Sequence, residues 1–456
     1  MSNERRILDR TVPIVSATTA EDLVLFWDKE TDTLKASRAK GVGRQGLFDY
    51  QAQKRTICIH GDSWVVNEEY TGDDISTSAK GPFTWGNAFL GAPFQVISYS
   101  GIGGDRLDEM EARFEQDVLI REPGFVFVYG GINDIGQART GAQMWASMKA
   151  MIDAAVAEGI VPIVAGCQPT GAISTAARLA AYRDYEIALR NYYALSGSFI
   201  YVPNFYHHVI DQSGATYPAL LTSMREDESH IDINGAIGCG RAFADSVRPF
   251  LTNANQLPAH NYALMGIANT LFRGTGGSAG TNTTGTVADD WTVNVNTSGS
   301  GVASLVARTD YPGNWQQVVT TTAGADIEWR SDANFEVLSD QGLAPGDQVI
   351  GLSEIQLDSG GLSAGNLSAI QTSWVISTSD GATDQAPIAL RAEGAFPDIN
   401  ATAQALLDGQ TLVLSTLTVT LGASDYKVRM LTEVVAGDTA VSGTFRHGRV
   451  GLLKVA

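Results

Sequence analysis

Between residues 51 and 252, apolar runs of strand length alternate with segments of helical period. No other feature limits the fold as tightly. The strand candidates are 56–60, 94–98, 125–129 (Phe-Val-Phe-Val-Tyr), 160–165 and 198–202. The helix candidates are 107–120, 141–158, 175–195 and 234–251. Strands that alternate with helices predict a parallel sheet covered on both faces, an α/β three-layer domain. Five such strands predict the flavodoxin-like order 2-1-3-4-5. Met144, Met148, Met151 and Ile152 recur at helical spacing and read as a core face.

The first strand of this series, Thr56 to Ile59, breaks at Gly61-Asp62-Ser63. A glycine at a strand end lets the backbone turn sharply. A serine just past that turn lies on the carboxyl rim of the sheet, where open α/β folds hold their ligands. A serine hydroxyl is a poor nucleophile unless a base takes its proton, so a base and an oxyanion site are required elsewhere in the chain.

Three further blocks follow: Ser-Gly-Ile-Gly-Gly-Asp at 100–105, Gly-Gly-Ile-Asn-Asp at 130–134, and Asp-Glu-Ser-His at 227–230. In this order, each beside a strand end or helix start, the four blocks resemble the SGNH (GDSL-type) hydrolase superfamily. The resemblance implies a flavodoxin-like SGNH hydrolase domain that needs no cofactor and no metal. It implies Ser63 as nucleophile, His230 as base and Asp227 as the carboxylate that orients it. It also implies an oxyanion hole from the Ser63 and Gly104 N–H groups and the Asn133 amide. Asp134 beside it reads as structural. Trp64 stands where the family often has Leu and is expected in the pocket wall. His207 and His208 are expected to line the substrate pocket; as metal ligands they lack a third partner at sensible spacing.

Two other motifs fail on context. The 101–106 segment starts like GxGxxG, but Arg106 takes the last glycine position. Gly276 to Gly280 fits GxSxG, yet it sits in a Gly/Thr-rich stretch without the strand and helix that motif needs. His60 falls inside the first strand.

With 456 residues the chain is long enough for two or three domains. The net charge of −19 argues against a nucleic-acid partner, since phosphate binding needs clustered Lys and Arg. No apolar run reaches the roughly 18 residues of a membrane helix. Cys58, Cys167 and Cys239 are odd in number and without CxxC, so they read as buried hydrophobes. The opening MSNERRILDR has no apolar core of a signal peptide, which points to a virion or the cytoplasm.

Residues 1–50 form a small module. Its segment VPIVSATTAEDLVLFWDKETDTLKASRAKGV is similar to N-terminal modules of bacteriophage tail fibres and tailspikes. The plainer alternative is a hairpin packed on the catalytic domain. After residue 252 helical period disappears, and β-rich runs punctuated by Gly, Asp and Ser fill 253–456. They predict an antiparallel, jelly-roll-like β-sandwich that binds carbohydrate or mediates assembly and is dispensable for small esters. Its Trp315, Trp329 and Trp374 suit either sugar stacking or a core.

The combined expectation is a serine esterase that removes acyl groups, chiefly O-acetyl, from a carbohydrate such as bacterial surface polysaccharide, as part of a phage tail. Its partners would be that acylated carbohydrate and a homo-oligomer or tail assembly. The alternatives are a non-phage carbohydrate esterase with a carbohydrate-binding module, and a structural tail protein or adhesin with a relic hydrolase domain.

Overall fold

The computed structural model describes residues 54–251 and 269–455, except 71, 73–74, 212, 214–216, 297–298, 323–327, 358–366, 379–382, 392–398, 426 and 437–441; before these it describes the backbone of Leu23–Asp28 and Thr33–Arg38. Those two early strands pair antiparallel. The remainder of the N-terminal module, His260 and the start of the linker lie outside the described residues.

Strands β1 (Thr56–Gly61), β2 (Gln95–Gly101), β3 (Phe125–Tyr129), β4 (Val161–Ala165) and β5 (Ile200–Val202) form one parallel sheet in the order β2-β1-β3-β4-β5. This is the expected flavodoxin-like order. The central strands β3 and β4 are apolar throughout because both faces are covered. Period-two alternation divides their side chains. Cys58, Val126, Val128 and Val164 face one core, with Met110, Met144, Met148, Met151 and Leu189. Ile57, Ile59, Phe125, Phe127 and Ile163 face the other, with Phe83, Ile237 and Phe243.

Eight α-helices are labelled here: α1 (Ser63–Val66), α2 (Pro82–Leu90), α3 (Leu107–Asp117), α4 (Ile132–Gly136), α5 (Gly141–Ala157), α6 (Ala176–Ser196), α7 (Ile233–Val247) and α8 (Ala401–Leu407). The long ones match expectation. Helix α2 does not: every one of its nine residues is buried. It is packed against α7 and against the strand Thr411–Ser415. A helix with no polar face leaves no 3.6-residue pattern to read.

The C-terminal region forms two sheets. One is ordered Thr411–Ser415, Gln348–Leu357, Thr444–Val455, Asn314–Thr322, Ser300–Ala307, Thr283–Gly285. The other is ordered Thr383–Gln385, Leu367–Ser377, Lys427–Ala436, Glu328–Ala333, Trp291–Asn296, Ser278–Ala279. Buried residues alternate with partly exposed ones along Trp291–Asn296, the signature of a half-covered strand. The pairing is antiparallel except at two short strands, Ser278–Ala279 and Thr283–Gly285, which each pair in parallel.

The sandwich is not held apart from the α/β sheet. Phe83 and Phe94 belong to the same apolar cluster as Trp291, Trp374 and Leu412. Ala92 packs with Ile350, Leu352 and Val413. A shared core makes each part support the other.

Candidate active site

The site begins at the end of β1. A β-carbon on Gly61 would run into the Tyr129 carbonyl oxygen and the Val65 side chain, so only glycine lets the chain turn there. Asp62 then caps α1, its Oδ1 accepting from the Trp64 N–H at 3.0 Å. Ser63 is the first residue of this single-turn helix. Asp62 is itself held by Gln168, whose Nε2 donates to both carboxylate oxygens at 3.1 and 2.9 Å. Burial pushes the Asp62 carboxyl up to about 6 against the pull of these hydrogen bonds.

Ser63 Oγ lies 2.9 Å from His230 Nε2. On the far side of the ring, His230 Nδ1 lies 3.1 and 3.0 Å from the two Asp227 oxygens. Asp227 Oδ1 also accepts the backbone N–H groups of Ser229 at 2.6 Å and His230 at 2.8 Å. Partial burial raises the Asp227 carboxyl, but these bonds outweigh it and hold the group below the ordinary carboxylate range. An ionised Asp227 fixes a proton on Nδ1 and leaves Nε2 free to accept one from Ser63. The three side chains thus make a relay whose elements lie 167 residues apart in sequence.

The 102–105 loop closes over Ser63. A β-carbon on Gly103 would sit 4.0 Å from the Ser63 β-carbon. Gly104 has φ +86, a backbone region that side chains disfavour, with open space around it. Asn133, in α4, donates from Nδ2 to the Asp105 carbonyl at 2.9 Å. One amide hydrogen therefore ties down the Gly104 loop, and the second is left for another acceptor. Asp134 is fully buried; it accepts from the Leu107 N–H at 2.9 Å and pairs with Arg139 at 2.8 Å. Its role is structural, as the sequence suggests.

Of the expected substrate-wall residues, Trp64 is corrected. Trp64 is 1% exposed, so it is no wall facing substrate. Its indole packs edge-on against Tyr206 and donates to the Ser229 carbonyl at 2.9 Å. His207 and His208 pack ring against ring. His208 lies over Gly238, in the second turn of α7, and its neighbours there include Arg241 and Asp245. No described contact joins either histidine to Ser63 or His230. His60 is buried with Nε2 3.0 Å from the Met110 carbonyl. Burial, aided by Arg113, pushes it down to about 3, so it stays neutral. Ser278, of the GxSxG decoy, lies on an exposed two-residue strand. Trp374 is fully buried and Trp315 is covered by the Arg308 guanidinium 3.9 Å above its ring, so both belong to the sandwich interior. The Trp329 side chain lies outside the described residues.

Two functional supports escaped the motif reading. Gln168 joins Asp62 to the Ile132 N–H, linking the Ser63 and Asn133 blocks. Arg113 donates to the Gly61 carbonyl at 2.7 Å, the Ser100 carbonyl at 2.9 Å and Asp105 at 2.8 Å, stitching β1 to β2 and to the Gly104 loop. Arg113 looks like any surface residue of an amphipathic helix. Gln168 had one signal, a polar residue just past a buried strand. Among the described residues, no group of three or more His, Cys, Asp or Glu side chains could hold a metal ion.

A serine, a histidine and a carboxylate in hydrogen-bonded series, on the carboxyl rim of a parallel sheet, define a serine hydrolase. Residues 59–223 match the model of the GDSL-like Lipase/Acylhydrolase family, also called SGNH. Among solved structures, similar ones include a lipolytic protein of the G-D-S-L family from Desulfitobacterium hafniense (17% identity, 43% of this chain and 100% of that one, TM-score 0.33). Another is a GDSL-like lipase from Bacteroides thetaiotaomicron (17% identity, 46% and 97%, TM-score 0.33). A third is an acetylxylan esterase from Geobacillus stearothermophilus (16% identity, 45% and 96%, TM-score 0.35). No curated protein matches the sequence.

Proposed function

We propose that this serine hydrolase is an esterase that removes small acyl groups, O-acetyl above all, from a carbohydrate. The observation that carries this reading is the openness of the relay. The His230 and Asp227 side chains are 30% and 57% exposed. Such a site suits a short acyl group on a bulky carrier rather than a long chain drawn into a tunnel. Val66 and Ile102, on the turn after Ser63 and in the loop over it, are 37% and 49% exposed. They give the rim an apolar edge that fits a methyl group better than a charged one.

In this reading Ser63 Oγ attacks the ester carbonyl while His230 Nε2 takes its proton. Asp227 stabilises the imidazolium that forms. The oxyanion is held by the Ser63 and Gly104 N–H groups and by the remaining Asn133 amide hydrogen. His230 then protonates the departing sugar hydroxyl, and water releases the acyl group by the same steps in reverse. The resemblance of the N-terminal segment to tail-fibre modules supports a place on a virion, with bacterial surface polysaccharide as the carrier.

The test is acetate release from O-acetylated bacterial polysaccharide, beside p-nitrophenyl acetate, with Ser63→Ala as control. Hydrolysis of the small ester without release from any acetylated glycan would remove the carbohydrate assignment and leave the esterase.

A further inference from the structure

The loop that carries Asp227 and His230 is exposed at Glu226, Asp227 and Glu228. Its stem is narrow. Arg225 and Ile231 form a single antiparallel bridge, and the Asp232 N–H donates to the Met224 carbonyl at 3.3 Å. Catalysis needs the imidazole fixed to a fraction of an ångström, so something must hold this stem.

We propose that Asn400, from the C-terminal region, is a positioning residue for His230. The inference rests on His230 being the base. Asn400 binds both feet of the loop. Its Nδ2 donates to the Ser223 carbonyl at 2.8 Å on the entering side. Its backbone N–H donates to Asn234 Oδ1 at 2.7 Å on the leaving side. Its Oδ1 accepts from the Thr402 and Ala403 N–H groups at 3.0 and 3.1 Å, capping α8. Helix α8 packs against α7, the helix that the loop enters. One side chain therefore anchors the loop to a helix that is itself docked.

A second hold reaches the loop from the other flank. Residues 388–391 add to the segment 76–79: the Thr77 N–H donates to the Ile388 carbonyl at 3.0 Å, the Arg391 N–H to the Thr77 carbonyl at 2.8 Å, and the Ala79 N–H to the Arg391 carbonyl at 3.0 Å. Lys80 follows directly and pairs with Glu226 at 2.8 Å, one residue before Asp227. The first of these holds comes from the sandwich region and the second rests on it, beside the bonds that the Trp64 indole and the Gly171 N–H make to the Ser229 and Glu228 carbonyls. Completing the active site is a function of that region, distinct from any binding of glycan.

The capping and clamping roles of Asn400 separate in Asn400→Asp. Asp caps a helix as well as Asn does, but it cannot donate to Ser223 and sets a carboxylate oxygen against that carbonyl. On p-nitrophenyl acetate, kcat should fall about tenfold with KM within about twofold, while circular dichroism and the melting midpoint stay near wild type. Asn400→Ser, which caps but is too short to reach Ser223, should behave alike. Gln404→Ala, in the same helix, removes the bond from Gln404 Nε2 to the Ile399 carbonyl and serves as the stability control. Wild-type kcat in Asn400→Asp, or a loss no larger than that of Gln404→Ala at a temperature where both are folded, would overturn the clamp. His230→Ala is measured in parallel: if it stayed active, the base assignment beneath the proposal would fall instead.

Discussion

The Trp64 indole N–H donates to the Ser229 carbonyl, so the residue after the nucleophile holds the residue before the base. This bond lies one residue from the Ser63–His230 contact and ties helix α1 to the loop of the base. Trp64→Phe keeps the ring but not the donor. We expect a several-fold loss of kcat, with a stability cost of about 1–3 kcal/mol from the lost bond and the smaller ring. Steady-state kinetics and urea unfolding check it; unchanged kcat would make Trp64 a core residue only.

Ser63→Ala and His230→Ala should each lower kcat by roughly 10⁴-fold or more, and the double variant should be little worse, because the relay acts as a unit. Neither change should alter the fold by circular dichroism. Additive losses in the double variant would contradict the shared mechanism.

Asn133→Ala should cost roughly 10²–10³ in kcat, the scale of one oxyanion donor. Asn133 also tethers the Gly104 loop through Asp105, so the loss should sit at the upper end of that range. A change confined to KM would place Asn133 in substrate binding instead.

Asp62 makes stability depend on pH. Its carboxyl lies near 6 in the fold against 3.8 for an ordinary Asp, so the fold prefers the protonated form. That contribution is complete below about pH 4 and is lost as pH rises through 6. His60 and His447, both held near 3 by burial, act in the opposite direction, gaining as pH rises from about 3 to the ordinary histidine value of 6.5. The effect of Asp62 is therefore read as a difference. Wild type should lose about 2–3 kcal/mol relative to Asp62→Asn between pH 4 and pH 8, measured by urea unfolding. A constant difference across that range would mean that Asp62 does not titrate there.

Removal of everything after residue 251 uncovers Phe83, Phe94 and Ala92, which pack against sandwich residues. The truncated chain should aggregate or lose activity even on p-nitrophenyl acetate. A soluble fragment with full activity would show that the α/β part stands alone.

The parallel sheet and the four site blocks were legible because each rests on local pattern. Apolar runs mark buried strands, and glycines mark the turns at their ends. Ser63, Asn133, Asp227 and His230 could be named before any geometry because short motifs carry them. What escaped has no local signature. The uniformly buried α2 shows no period. The strand Thr444–Val455 is interrupted by His447, Gly448 and Arg449, and Arg449 reads as exposed although its guanidinium is buried against Glu354. Trp64 and Asn400 act on partners more than 160 residues away, and nothing in their own neighbourhoods signals it.

The place of Thr444–Val455 has a consequence in time. It lies between Gln348–Leu357 and Asn314–Thr322, inside its sheet, yet is synthesised after both. Until it emerges, those two strands have no edge to share and the sandwich stays open. The Asn400 grip on the His230 loop depends on that sandwich being docked. A nascent chain can thus carry every residue of its relay and still be a poor catalyst, acquiring its full rate only when synthesis has passed this strand.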